Sequence, residues 1–130
     1  MGFRFREFQV YQEARLLVKD IYVLTEKFPK HELFGLASQA RRAVISILLN
    51  IAEGSGKGSD SEFNRFMMIA IGSIDEVVAC LDICLDLRYI TTSVHGQYVG
   101  RCEVLARKLY GFSRRLKGLR HKAQGSMLKA

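Results

Sequence analysis

Proline occurs once in the 130 residues, at Pro29. Alternating β-branched runs are nearly absent, which argues against strands. No window holds eighteen uninterrupted apolar residues, so no membrane-spanning helix is expected. The opening MGFRFREFQ has neither an apolar core nor a small-residue cleavage site, and does not read as a secretion signal. It begins like a myristoylation motif, but Arg6 stands where Ser or Thr is needed. There are three cysteines and no CxxC: Cys80 and Cys84 lie one helical turn apart, Cys102 lies further on, and all fall in apolar runs. They read as buried small hydrophobes in a reducing cytoplasm. Acids are scarce at the end of the chain. Residues 101–130 carry nine Lys/Arg (Arg101, Arg107, Lys108, Arg114, Arg115, Lys117, Arg120, Lys122, Lys129) against Glu103 alone, a net +8. The first hundred residues hold eleven basic and twelve acidic groups and are close to neutral. Such asymmetry points to a polyanionic partner.

What is present is ordinary for one folded domain: 48% hydrophobic and 25% charged residues. Apolar residues recur at steps of three and four, the helical period. The first segment runs Val10, Ala14, Leu17, Ile21, Leu24, Phe28, and Phe28-Pro29 ends it. The second runs Leu33, Ala37, Ala40, Val44, Ile47, Ile51, with Gly54 where a left-handed terminal residue is wanted. The third runs Phe63, Met67, Ala70, Ile74, Val77, Leu81, Cys84, and opens with the capping-box pair Ser59 and Glu62. The fourth runs Tyr98, Cys102, Leu105, Leu109, Phe112, Leu116, Leu119, with Thr92 or Ser93 as its cap. Short links at residues 29–32, 54–59 and about 89–93 make neighbours antiparallel. The spacing therefore predicts an all-α, up-down four-helix bundle over residues 1–120, followed by a frayed or disordered basic tail, 121–130. Ile45, Leu48, Leu49, Phe66, Ile69, Ile71, Val78 and Leu85 lie off the seams. That excess of apolar surface predicts self-association.

Four features are candidate sites. The glycine-rich GSGKGS does not have the spacing of a P-loop and follows a helix, not a strand, so it reads as a corner between helices. There Gly56 and Gly58 would permit a tight reversal, and weak anion binding at the helix start is a second reading. A polar stripe, Gln39, Arg42, Ser46, Asn50 and Glu53, descends the second helix. With Asp75, Glu76 and Asp82 opposite, Arg41 or Arg42 could pair across the bundle or a subunit boundary. The stripe reads as a register-fixing network or as a polar site. His31, His95 and His121 are too scattered for a metal site, and no catalytic constellation, metal or cofactor is expected. In the fourth helix, with Cys102 at a heptad position a, Arg107 and Arg114 fall at f. Arg101, Lys108, Arg115 and Lys122 fall at g, and Lys117 and Arg120 continue the positive charge. Such a stripe suits a phosphate backbone read without regard to sequence. A soluble basic face and a dock for an acidic protein are the other readings.

The run from Phe28 to Glu76 resembles the bacterial four-helix-bundle proteins encoded in intervening sequences of 23S ribosomal RNA genes. The resemblance rests on Phe28-Pro29, Glu32, Gly35-Leu36, Gln39, Arg41-Arg42, Ser46, Asn50 to Gly54 (NIAEG), Glu62, Phe63, Ala70, Gly72-Ser73 and Glu76. Phe8 to Tyr22 fits the family's first helix, and the likeness covers most of residues 5–90. It implies a four-helix bundle, typically a homopentameric ring, without enzymatic activity. It also implies a relative, the accessory variability determinant of diversity-generating retroelements, which binds a reverse transcriptase and nucleic acid. The expectation is a non-enzymatic, oligomeric, cytoplasmic bundle that binds nucleic acid, RNA first, through its last helix. A scaffold for an acidic protein is the alternative.

Overall fold

The computed structural model describes the backbone of residues 2–129 and the side chains of residues 2–116. Four helices follow one another: α1 Gln9–Glu26, α2 Leu36–Ser55, α3 Asp60–Asp86 and α4 Thr92–Lys129. Short 3₁₀ turns at Arg4–Glu7 and Lys30–Glu32 precede α1 and α2. The described residues contain no strand. Each helix packs on the next, and α4 returns loosely to α1. Contacts between helices run in opposite senses. Gln39 meets Glu76 and Ser46 meets Ser73, while Glu13 meets Lys108 and Asp20 meets Arg101. Neighbours are therefore antiparallel, and the four close a bundle. The expected frayed tail, 121–130, lies outside the residues whose side chains are described.

The seams supply the core. Ala14, Leu17, Ile21, Val44, Ile47, Ile51, Met67, Ile74, Val77, Cys84, Cys102 and Leu109 are almost wholly buried. Three positions are corrected. Leu33 precedes α2 and is 49% exposed, because the chain is still turning there. In α1, Thr25 takes a buried place beside half-buried Leu24, its hydroxyl donating back to the Ile21 carbonyl at 2.8 Å. Ser113 is likewise buried in α4 and donates to Asn64 of α3. Most of the off-seam excess is absorbed: Phe66 and Ile71 are core, and Ile45, Leu48, Val78 and Leu85 are half-buried. Leu49, at 57%, and Ile69 remain exposed.

The helix ends depart from the sequence rules in instructive ways. Gly54 is inside α2 and has no positive φ; among the described residues no glycine does. A Cβ there would lie 2.7 Å from Phe66 Cβ and 3.1 Å from Phe63 Cδ1, so Gly54 is required by close packing of α2 on α3. The left-handed residue is instead Arg88, φ 63°, after α3. Its N–H bonds to the Leu85 carbonyl, and the Tyr89 N–H to that of Cys84, a Schellman closure. Ser59 caps α3 as expected, accepting from the Glu62 N–H at 3.2 Å. Thr91, not Thr92 or Ser93, caps α4, accepting from the Val94 N–H at 3.1 Å. At the start of α2 the cap comes from Glu32, whose carboxylate accepts from the Leu36 N–H at 3.2 Å and from the Tyr89 hydroxyl at 2.9 Å. A Cβ on Gly35 would meet that carboxylate at 2.7 Å.

Candidate nucleic-acid interface

The two basic rows of α4 have different surroundings. The row of Arg101, Lys108 and Arg115 faces α1. Arg101 donates to Asp20 at 2.8 Å, and its guanidinium lies over the Tyr98 ring. Lys108 pairs with Glu13, and both are partly buried. These two cations hold α4 to α1, a junction with little other packing. Their charge is largely neutralised, so neither is a strong phosphate ligand. Arg115, two turns beyond Lys108, is exposed and lies over the Phe112 ring at 5.6 Å.

Arg107 and Arg114 face outward. Both are exposed, and neither has an acidic partner among the described residues. With Arg115 they form an uncompensated cationic strip. Lys117, Arg120 and Lys122 lie outside the residues whose side chains are described.

The polar stripe of α2 mostly meets α3. Gln39 donates to Glu76 at 2.6 Å, Ser46 bonds Ser73 at 2.8 Å, and Asn50 donates back to the Ser46 carbonyl at 2.7 Å. Glu53 pairs with Lys57 at 3.8 Å, within its own corner. Among the described residues neither Arg41 nor Arg42 forms the expected ion pair with an α3 acid. Arg41 instead donates to the Thr25 hydroxyl at 2.8 Å and lies 4.7 Å over the Tyr22 ring, because the start of α2 faces the end of α1. Arg42 is exposed. Of the acids, Asp82 takes His95 at 2.8 Å.

The glycine corner holds Lys57 5.1 Å over the Phe66 ring, with Arg65 on the same ring at 4.7 Å. Just before α1, Arg4 lies 5.9 Å over the Phe8 ring. These cation–aromatic pairs were not legible from charge counting, because the neutral balance of the first hundred residues averages them away. The alternation of Phe and Arg in GFRFREF is the signal that could have found part of them.

The cysteine thiols are free and buried. Burial pushes Cys84 up to about 12 and Cys102 up to about 11, and raises Cys80. A thiol so far from ionisation is a poor nucleophile. Among the described residues no three His, Cys, Asp or Glu side chains converge as a metal site, and no helix is long and apolar enough to cross a membrane.

No curated protein matches the sequence significantly. The profile of a family described as 23S rRNA-intervening sequence protein matches residues 6–111. That span takes in α1, α2, α3 and α4 as far as Gly111, further than the residues 5–90 that carry the resemblance, and stops just before Arg114 and Arg115. With most of its length inside that span, the chain belongs to the 23S rRNA-intervening sequence protein family.

Proposed function

We propose that the protein is a non-enzymatic, oligomeric, cytoplasmic bundle that binds nucleic acid, RNA in particular, through the outward face of α4. The observation that carries this reading is the strip of Arg107, Arg114 and Arg115, exposed and without acidic partners among the described residues. Arg101 and Lys108 serve the bundle instead. A guanidinium is always charged and presents a planar fork of donors to phosphate oxygens. Cations spaced along a helix meet successive phosphates and carry no sequence information. The accessory role beside a reverse transcriptase is the form of this reading that the family resemblance supports.

The test is fluorescence anisotropy with a labelled single-stranded RNA across a salt series. Affinity should fall linearly on a log–log plot, with a slope of about 0.7 per phosphate engaged. The Arg107→Glu/Arg114→Glu double variant should abolish binding while its far-ultraviolet circular dichroism stays that of the parent. Unchanged RNA binding by that variant would remove α4 as the site. If RNA does not bind at any salt while an acidic protein does, the chain is a protein scaffold. Co-purification with a reverse transcriptase encoded beside it tests the accessory role directly.

Self-association is supported by the apolar side chains the single bundle leaves exposed: Leu16 and Val23 of α1, Leu49 of α2, Ile69 and Ile83 of α3. A homopentameric ring is the form that the resemblance implies.

A further inference from the structure

A cleft of about 480 Å³ opens between the start of α1 and α4. Phe8, Val10, Gly111 and Phe112 line it together with Lys108 and Arg115. The aromatic wall is braced from behind: Phe8 and Phe112 lie 5.3 Å apart, and Phe63 of α3 backs them at 6.3 and 5.2 Å. Among the described residues four helical glycines, Gly72, Gly96, Gly100 and Gly111, have nothing that a Cβ would touch, and of these Gly111 is the one that lines the cleft. Glycine is a poorer helix former than alanine. Its backbone is ordinary, so no left-handed turn requires it. No atom would meet a Cβ there within 4 Å, so no close packing requires it either. What its missing side chain does is leave the cleft open beside Phe112. The cleft lies in the size range of small-ligand sites, roughly 300–1,000 Å³.

We propose that this cleft receives one unpaired base of a single-stranded nucleic acid. The base lies against Phe8 and Phe112. Arg115, exposed and resting over the Phe112 ring in the free protein, swings off that ring as the base takes its place and meets the phosphate, and Arg114 takes a neighbouring phosphate on the outward face. Gln9, which also lines the cleft, supplies an amide for the base's polar rim. Aromatic faces beside a cationic strip are the features that bind single strands with little sequence preference. A continuous duplex keeps its bases stacked inside and could use only the strip. The proposal rests on the nucleic-acid reading and adds strand selectivity to it.

The test uses the full chain and an oligouridine RNA carrying one 2-aminopurine, alone and annealed to its complement. The wild type should quench 2-aminopurine on binding and prefer the single strand. Gly111→Leu fills the cleft and leaves every charge in place. It should lose the quenching and bind the single strand about ten-fold more weakly, with duplex affinity and salt slope unchanged. Gly111→Ala, with matching circular dichroism, is the folding control. Equal binding of the same strand as DNA supports the cleft, since the base presents the same face on either sugar. If Gly111→Leu quenches and binds as the wild type does, the cleft is not the base site, while the salt-dependent binding still stands. If the wild type binds no RNA even at low salt, both readings fall.

Discussion

Glycine means opposite things at two positions in this chain. At Gly54 a methyl group would strike Phe66 and Phe63 in the α2–α3 contact. Overpacking of that kind is destabilising by about 1–3 kcal/mol, against a propensity gain of about 1 kcal/mol. Gly54→Ala should therefore lower the urea midpoint. Gly111→Ala meets open space and should raise stability by about 1 kcal/mol, so the same substitution changes sign. Glu32 offers a pH-linked contrast. The Tyr89 hydroxyl, and then the Leu36 N–H, hold its carboxyl below its ordinary 4.5. A depressed carboxylate favours the fold above its unfolded value and loses that contribution as pH falls through the folded one. Tyr89→Phe should flatten this acid limb of the stability curve as pH falls below the ordinary 4.5. The hydrogen bond to Glu32 also raises Tyr89, so its contribution is present below the ordinary tyrosine value of 10 and is lost as pH rises through the raised value.

Along α4, position in the heptad decides what a cation does. Lys108→Glu would set a carboxylate against Glu13, whose Oε2 is already buried without a hydrogen-bond partner. It should destabilise the bundle by a measurable shift in thermal midpoint, because like charges there are partly desolvated. Arg107→Glu and Arg114→Glu act on exposed side chains and should stay within about 0.5 kcal/mol of the parent. A binding defect in the second pair therefore reports on binding. The same defect in Lys108→Glu would report on folding. The polar contacts of α2 with α3 belong to this scale too, since Gln39–Glu76 and Ser46–Ser73 fix the longitudinal register of two long helices.

For the whole molecule, the exposed apolar side chains are spread over all four helices, Val104 and Tyr110 of α4 included, and one bundle cannot cover them all. Light scattering at micromolar concentration should give a mass several times 14.8 kDa. A stable monomer would mean that Leu16, Leu49 and Ile69 are simply tolerated in water. The oligomer measurement is independent of RNA, so it separates assembly from binding.

Helical period placed most of the core of this protein, because a side chain's burial in a bundle follows its phase; Thr25 and Ser113, buried polar residues, it missed. Ala14, Val44, Met67 and Cys102 are buried where the 4-3 spacing puts them. Capping chemistry placed Ser59, since that contact spans only three residues. The sign of the charge on α4 was also in the sequence. What only the tertiary structure decided depends on neighbours distant in the chain. Gly54 is held by Phe66, Glu32 by Tyr89, and Lys108 by Glu13, ninety-five residues away. The sequence determined that the last helix is basic; the packing of α1 against it decided which of its cations remain available to a phosphate.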